Sequence, residues 1–224
     1  MARWADSDFD STEQLRRKRK AIIREAAKVF SRRGFHGTTL DDVAERLSVT
    51  KTALYRYVAN KNELLCACHE EAMEIANDAM DLGERTGKSG LEKIQIGMRQ
   101  YLQDMIGEMG VPVLILEESA LTGEEAVRVI KLRDDFEKRM RKLVLEGIED
   151  GSILQLNPKL ATFMLLGAVH WVTKWYSPEG PWSAEEVAEA LIEMATRAMV
   201  AKPSGKLDAK IHNNIIEYAP RGKR

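Results

Sequence analysis

Apolar residues recur every three or four positions along most of the chain, which is the spacing of amphipathic α-helices, and the alternation typical of strands is nearly absent. The first predicted helix covers about residues 15–33, and Gly34 can end it in a left-handed conformation. A second, short helix is predicted from Thr39, and a tight turn leads to a third over residues 51–58. The same spacing continues to about residue 200. The pattern therefore predicts an all-α protein of about nine helices.

Five later segments begin with residues that can cap the free N–H groups at the start of a helix. Four of them place a glutamate three positions after the cap, which is the capping-box pattern; the caps are Asn60, Ser89, Thr122 and Ser183. The fifth cap, Asn157, precedes a proline, a residue that favours the first helical turn. These signals predict where the fourth helix and the helices of a longer C-terminal body begin.

Composition narrows the class of protein. The chain has 224 residues, 44% of them apolar and 31% charged, as is ordinary for a soluble globular protein. No apolar run approaches the roughly 20 residues of a membrane span, and the chain opens with no signal-peptide pattern. Its two cysteines, Cys66 and Cys68, are too few for a disulfide framework. A cytoplasmic protein with no membrane partner is therefore expected.

The net charge of −1 hides an uneven distribution of charge along the chain. Residues 16–65 carry 13 Lys and Arg against 5 Asp and Glu, whereas residues 66–203 carry nine more acidic than basic residues. A run of five basic residues, 16–20, precedes the first apolar positions and could reach phosphates. A basic head on an acidic body predicts that only the head meets a polyanion.

Residues 39–58 predict two short helices joined by a three-residue turn, which is the geometry of a helix-turn-helix DNA-binding motif. The inward positions are apolar, and Val49 is expected to plug the turn. The outer surface of the third helix then carries Lys51, Thr52, Tyr55 and Arg56. Lysine and threonine can reach base edges, while tyrosine and arginine suit phosphates. A three-helix bundle with no role in DNA binding is the alternative, but it does not explain an exposed tyrosine between cations.

The same stretch resembles the DNA-binding head of the tetracycline-repressor (TetR) family, T-x-x-x-I-A-x-x-A-G-V-S-x-x-x-L-Y-x-H/Y-F-x-x-K-x-x-L. The residues in register with this pattern are Thr39, Val43, Ala44, Val49, Thr50, Leu54, Tyr55, Tyr57, Lys61 and Leu64. The chain departs from it with Leu47-Ser48 for Ala-Gly, Thr50 for Ser and Val58 for Phe, so Ser48 must adopt a turn geometry often given to glycine. The predicted DNA-binding residues are Thr39, Thr50, Lys51, Thr52, Tyr55, Arg56, Tyr57 and Lys61.

The resemblance covers about residues 16–65 and implies a DNA-binding head followed by a helical body that binds a ligand and forms a dimer. The predicted division is a flexible lead at 1–15, the head at 16–65, the body at 66–203 and a flexible basic tail at 204–224. The helix over residues 160–175 is apolar on nearly all sides, so it needs more cover than one monomer supplies. In the family the last two helices form the dimer interface, which implies a homodimer on double-stranded operator DNA. A central helix of a monomeric core is the alternative.

The body is rich in methionine and aromatic residues, which more often form plain core but also suit the lining of an apolar pocket. Its segment 171–183, WVTKWYSPEGPWS, resembles W-x-x-x-W-Y-x-P-x-G-P-x-S in TetR-type regulators of fatty-acid, aromatic-acid and sterol breakdown. Many of those regulators sense acyl-CoA thioesters, which implies a cation such as Lys174 near the mouth of a pocket. The predicted ligand-binding residues are Tyr101, Met105, Phe136, Met140, Phe163, His170, Trp171 and Lys174. The alternative effector is a drug or a hydrophobic acid, for a repressor of an efflux or detoxification operon.

Other constellations in the sequence are weak. Cys66 and Cys68 point about 200° apart on a helix, and Cys66 with His69 or Glu70 supplies fewer ligands than a structural zinc site uses. The four histidines are scattered, with no phosphate loop or nucleophile motif beside them. A ligand-responsive transcriptional repressor with no metal, no cofactor and no enzymatic activity is therefore expected. A pure protein-interaction bundle is the other class left open.

Overall fold

The computed structural model describes residues 5–107 and 120–200, and within them eight α-helices form the fold. They are α1 (Ala5–Arg33), α2 (Leu40–Arg46), α3 (Lys51–Leu54), α4 (Lys61–Thr86), α5 (Gly90–Gly107), α6 (Gly123–Glu149), α7 (Pro158–Trp175) and α8 (Ala184–Met199). Extended pairing in these residues is limited to an isolated bridge between Ile153 and Val200. The all-α class is confirmed, and eight helices are close to the predicted nine. The predicted tail at 204–224 lies outside the described residues, and no described helix is long and apolar enough to span a membrane.

Helix α1 starts ten residues earlier than predicted, at Ala5 rather than near residue 15. The prediction of an unstructured lead through residue 15 is therefore wrong from Ala5 onward. No glycine or proline lies between Ala5 and Arg33, so a helix anchored by the buried Ile23 and Phe30 propagates towards the N-terminus without interruption. Gly34, with a φ of +74°, follows the last helical residue as predicted.

The head consists of α1, α2, α3 and the first turns of α4 around one apolar core. Its fully buried large side chains are Ile23, Phe30, Leu54, Leu64 and Leu65. Helix α3 ends at Leu54, and the predicted continuation to residue 58 is a tighter turn in which Arg56 and Tyr57 donate to the carbonyls three residues earlier. The recognition segment is thus short and rests on Leu54.

The turn between α2 and α3 depends on Ser48, whose φ of +54° is the one positive value among the non-glycine residues described. This confirms the turn geometry that the sequence predicts for it. The Ser48 amide donates to the Glu45 carbonyl and the Val49 amide to the Ala44 carbonyl, both at 3.0 Å. Val49 itself is 41% exposed, so its predicted role as a plug is wrong. Backbone hydrogen bonds hold this turn in place of a buried side chain.

Side-chain caps fix the starts of four later helices as predicted. Each cap accepts a backbone N–H of the first turn at 2.8–3.2 Å, and the caps are Asn60, Ser89, Asn157 and Ser183. Thr122 makes no such bond, so its predicted capping box is wrong. Gly123 has a left-handed φ of +65°, and this conformation turns the chain away from the Thr122 hydroxyl as α6 begins.

Helix α5 lies in the middle of the body and packs against α4, α6 and α8. Its side chains Met98, Tyr101 and Leu102 are fully buried, together with Met140 of α6. Helix α7 packs mainly on α6, and only one of its faces is buried. The body therefore has a complete core and an exposed apolar face on α7.

We expect Ser48→Gly to raise the free energy of unfolding by roughly 0.5–1 kcal/mol, because a left-handed residue with a Cβ costs about 1–2 kcal/mol and the extra freedom of glycine in the unfolded chain cancels part of the relief. Ser48→Ala keeps the Cβ and is the matched control, for which no gain is expected. Urea unfolding of both variants and the parent protein measures the differences. A Ser48→Gly protein no more stable than Ser48→Ala would contradict the left-handed turn.

Candidate DNA-binding surface and effector cavity

Two threonines fix the helices of the helix-turn-helix segment. The Thr39 hydroxyl accepts the Asp42 N–H at 3.2 Å, and the Asp42 carboxylate accepts the Thr39 N–H at 2.7 Å. Hydrogen bonds from Thr39 hold the pKa of the Asp42 carboxyl below its ordinary value. Thr50 accepts the N–H of Ala53 at 3.2 Å and so caps α3. Both threonines are exposed, so each hydroxyl serves as a cap at the protein surface.

The exposed side of α3 and of the turn after it carries four polar residues: Lys51, Thr52, Tyr55 and Arg56. Tyr55 is 48% exposed, which is unusual for a large aromatic ring with an apolar core so close to it. Lys51 Nζ lies 2.7 Å from the Asp41 carboxylate, and this hydrogen bond raises the pKa of the lysine. Tyr57 is half-buried and packs on the head core. The surface thus offers a hydroxyl, a phenol and two cations together.

Lys61 is the first residue of α4, and its ammonium group contacts the loop that follows α1. Its Nζ donates to the carbonyl oxygens of Phe35 and Thr38, both at 2.9 Å, and lies 4.1 Å from the centre of the Phe35 ring. These contacts tie the start of α4 to the head. An ammonium has three N–H donors, so one is left for the predicted contact with a phosphate.

The basic run at residues 16–20 is partly used within the protein. Lys20 Nζ lies 2.9 Å from Glu74 and 3.4 Å from Glu71, and Arg24 lies 3.6 Å from Glu71. The Glu71 side chain is only 5% exposed, so these four residues form a charged seam between α1 and α4. Lys20 therefore pairs with α4, and a contact between the run at 16–20 and phosphates stays a prediction.

A cavity of about 400 Å³ lies between α4, α6 and α7. Its apolar wall is formed by Met73, Ile130, Phe136, Phe163, Leu166 and Gly167. Its charged residues are Arg133, Asp134, Glu137 and Lys159. A concave site of this size, with an apolar wall beside charged groups, suits a small ligand that has an apolar body and a polar group.

Three of the predicted ligand-binding residues line this cavity, namely Phe136, Phe163 and His170. Tyr101 lies behind the wall, with its hydroxyl 3.3 Å from His170 Nε2, and either group can donate this hydrogen bond, depending on the imidazole tautomer. Met105 and Met140 are buried in the core of the body and do not line the cavity. The sequence pattern therefore identified the part of the body that holds the cavity. It did not distinguish the residues that line the cavity from those buried in the core of the body.

Trp171 and Lys174 do not line the cavity either. Trp171 is 66% exposed and lies about 100° around α7 from His170, while Lys174 lies one turn beyond His170. The cations at the cavity are Arg133 and Lys159, and Lys159 Nζ lies 5.7 Å from the centre of the Phe163 ring. Sequence reasoning missed Lys159, although its four-residue spacing from Phe163 was an available signal.

A second polar group that sequence reasoning did not identify is His69 on α4, which does not line the cavity but lies one helical turn before Met73, which does. It is fully buried, and neither ring nitrogen has a hydrogen-bond partner among the described residues. Burial, together with the positive charge of Arg133, lowers its pKa to about 4, and the same two causes lower the pKa of His170 to about 4. Both imidazoles are therefore neutral near pH 7. No group of three or more metal-binding side chains occurs in the described part of the chain.

One face of α7 is both apolar and exposed. Its members, called the α7 stripe below, recur at three- and four-residue spacing and are Leu160, Phe163, Met164, Gly167, Ala168, Trp171 and Trp175. The opposite face is buried through Leu165, Val169 and Val172. On α8, Met194 is 47% exposed and adds to the apolar surface. Contiguous exposed apolar surface of this kind marks a contact with another molecule.

The segment at 171–183 has a structural role of its own. The ring of Trp175 is edge-on to two aromatic rings, at 6.4 Å from Trp182 and 6.5 Å from Tyr176 between centroids. These contacts join the end of α7 to the loop before α8. The tryptophan and tyrosine pattern in this segment is thus explained by the corner between the two helices.

Comparison with known proteins places both parts of the chain. Residues 22–68 match the family described as "Bacterial regulatory proteins, tetR family", and residues 87–199 match "Tetracyclin repressor-like, C-terminal domain". The transcriptional repressor KstR2 of Mycolicibacterium smegmatis is 26% identical over 191 residues, which cover 80% of this chain and 89% of KstR2.

Solved structures show the same fold. The TetR-family regulator PfmR from Thermus thermophilus is 27% identical, with a TM-score of 0.71 over 81% of this chain and 99% of PfmR. AibR, solved in complex with isovaleryl coenzyme A and operator DNA, is 24% identical, with a TM-score of 0.69 over 79% of this chain and 96% of AibR. Because the two family matches span the helix-turn-helix head and nearly all of the described body, the chain belongs to the TetR family of DNA-binding transcriptional regulators.

Proposed function

We propose that this protein represses transcription as a homodimer, binds double-stranded operator DNA through α2 and α3, and leaves it when an acyl-CoA thioester fills the cavity. The observation that carries the proposal is an exposed basic and aromatic α3 surface joined by α4 to an apolar cavity. A cytoplasmic location follows from the target, because a bacterial operator lies there. The mechanism requires no catalytic residue, metal or cofactor.

In this proposal α3 lies in the major groove of the operator. Lys51 and Thr52 face base edges, and Lys51 exchanges its bond with Asp41 for a base or phosphate. Tyr55 and Arg56 face the phosphate backbone, where they position the helix without reading the sequence. The remaining predicted contact residues are Thr39, Thr50, Tyr57 and Lys61. They hold the helices in place and border the same DNA strand.

The α7 stripe supports the homodimer. Its seven residues form a continuous apolar surface that the monomer leaves in water. Packing the stripe and the exposed Met194 of α8 against a second copy buries both faces around a twofold axis. Two heads related by that axis then meet two half-sites about 34–36 Å apart, or more, on a near-palindromic operator.

The cavity supports an effector with an apolar body. Its volume of about 400 Å³ is near the lower end of the range for small-molecule sites, about 300–1,000 Å³, so it takes an acyl group rather than a whole CoA ester. The nucleotide then lies outside, where the exposed Lys159 can pair with a phosphate. AibR, which shares this fold, carries isovaleryl coenzyme A in its complex. A free hydrophobic acid or a drug is the second candidate, because it fits the same apolar wall.

Helix α4 couples the cavity to the head. Met73 lines the cavity, while Glu71 and Glu74 of the same helix hold α1 through the charged seam. A ligand that displaces α4 therefore displaces α1 and the head with it. It releases DNA only by binding the displaced conformation more tightly than the DNA-bound one.

Arg56→Ala should weaken binding to every DNA sequence and lower the slope of log affinity against log salt by about one, because a phosphate contact is lost. Lys61→Ala should do the same and also destabilise the fold by roughly 1–2 kcal/mol, since its bonds to Phe35 and Thr38 are lost. Thr52→Ala should change sequence preference with the slope unchanged. Fluorescence anisotropy at several salt concentrations measures all three, and parental binding in every variant would exclude α3 as the recognition helix.

Ala168→Glu places a carboxylate in the α7 stripe, at a position that is exposed in the monomer and costs it nothing. In the dimer the charge is buried without a partner, at a cost of several kcal/mol, so we expect a folded monomer with sharply reduced operator affinity. Leu145→Glu, on the exposed side of α6, is the matched control and should stay dimeric. Sedimentation velocity distinguishes the two species. A dimeric Ala168→Glu protein would move the interface away from α7.

CoA esters of varied chain and ring type should include one that raises the melting temperature and releases operator DNA at micromolar concentration, because ligand binding to the folded state adds to its stability. Lys159→Ala should weaken binding of that ester more than binding of the matching free acid, since the ester has several phosphate charges to pair and the acid has one carboxylate. Thermal-shift and anisotropy measurements give both readouts. If free acids release the operator while their CoA esters do not, the effector is the acid and the thioester proposal fails.

A further inference from the structure

A polar side chain with no hydrogen-bond partner lies behind the wall of the effector cavity, one helical turn before Met73 on α4. The ring of His69 is fully buried, and neither of its nitrogens forms a hydrogen bond with any group in the described part of the chain. Buried polar atoms are rarely left in this state, because each one loses its hydrogen bonds to water without compensation. An unsatisfied imidazole therefore indicates a partner that comes from outside the protein chain.

The position of His69 on α4 relates it to the cavity. Met73 lies one turn further along the same face of α4, and Met73 lines the cavity. Arg133, also on the cavity wall, is close enough for its charge to lower the pKa of both His69 and His170 after the larger effect of burial. His170 is in turn bonded to Tyr101. Arg133 and His170 thus line the cavity, and two further polar side chains, Tyr101 and His69, lie behind them.

A hydrocarbon ligand cannot form the hydrogen bonds that these polar side chains require. A neutral imidazole offers one N–H donor and one acceptor nitrogen, and a plain alkyl chain satisfies neither. A hydroxyl or carbonyl oxygen supplies the missing bond. Asp134 and Glu137 lie on the same wall and oppose a negative charge, which offsets the attraction of Arg133 for a carboxylate. An uncharged oxygen therefore fits this part of the cavity better than an alkyl end or a carboxylate.

We infer that the natural effector carries a hydroxyl or ketone oxygen on the part of its apolar body that enters the cavity. When the effector displaces α4, His69 behind the wall comes within reach of this oxygen, binds it and sets the specificity. The inference rests on the proposed function, because it takes the cavity as the effector site. It adds that the effector is an oxygenated acyl or ring compound rather than an unmodified fatty acyl chain.

Matched ligands test this with the full-length protein. Hexanoyl-, octanoyl- and decanoyl-CoA are compared by calorimetry with the same esters carrying a terminal hydroxyl, ketone or carboxylate, and the corresponding free acids are run in parallel. We expect the best hydroxy or keto compound to bind at least about tenfold more tightly than its plain counterpart, since the plain chain leaves the imidazole unsatisfied. The carboxylate compound should show no such gain.

Variants assign the preference to His69. His69→Phe keeps a ring of similar shape without nitrogens, so the ratio of oxygenated to plain affinity should fall to about one. Met80→Leu, on the same helix but in the body core away from the cavity, is the control and should keep the ratio. His69→Gln retains a donor and an acceptor and should keep part of the preference for oxygenated ligands. This variant tests the role of His69 if His69→Phe does not fold.

The possible results distinguish a failure of the role of His69 from a failure of the proposed function on which it rests. Equal binding of plain and oxygenated ligands, or an unchanged ratio in His69→Phe, overturns the role of His69 while leaving the cavity as the effector site. A preference for the carboxylate overturns the uncharged oxygen. Failure of every ester and every acid to bind or to release the operator overturns the proposed function itself.

Discussion

Helix α4 is the element on which both halves of the molecule depend, because one run of 26 residues is buried in two separate cores. Its first turns place Leu64 and Leu65 in the head core, and its later turns place Ala76 and Met80 in the body core. The helix contains no proline and is about 40 Å long at about 1.5 Å per residue, so it moves as a rod. A displacement of α4 that begins at the cavity is therefore transmitted directly to the head, with no other element between them.

The charged seam determines how much of the head follows α4. The Glu71 carboxylate is buried and its cations, Lys20 and Arg24, belong to α1, so separating the two helices would leave a buried charge without compensation. Two helices that share only apolar contacts can slide past each other at a lower free-energy cost than two helices whose movement would separate a buried charge from its partners. Helix α1 and the recognition segment thus follow α4 together. The free energy available for this movement is limited to the difference in effector affinity between the two head positions.

Most features that depend on neighbours in sequence were predictable, with the cap at Thr122 as the exception, and features that depend on helix register were not. The caps at Asn60 and Ser183 and the left-handed turn at Ser48 involve residues three or four positions apart, and the structure contains all of them. The cation that α7 contributes to the cavity is Lys159 rather than Lys174, because α7 is apolar on several faces and only packing on α6 decides which face meets the cavity. The DNA contacts of α3 stay predictions, since they need the partner molecule.

In the proposed function, helix α7 contacts both the effector and the second subunit, and α4 contacts the effector and belongs to the head. Phe163 and Gly167 line the cavity and also belong to the α7 stripe, and Phe163 is 51% exposed. In a dimer built on the stripe, a change at Phe163 caused by the effector alters the fit between subunits. The twofold axis repeats that change in both copies, so displacements too small to disrupt either core add up between the two heads. Operator DNA does not accommodate this combined displacement of the two heads, because the spacing of its half-sites is fixed by the helical repeat.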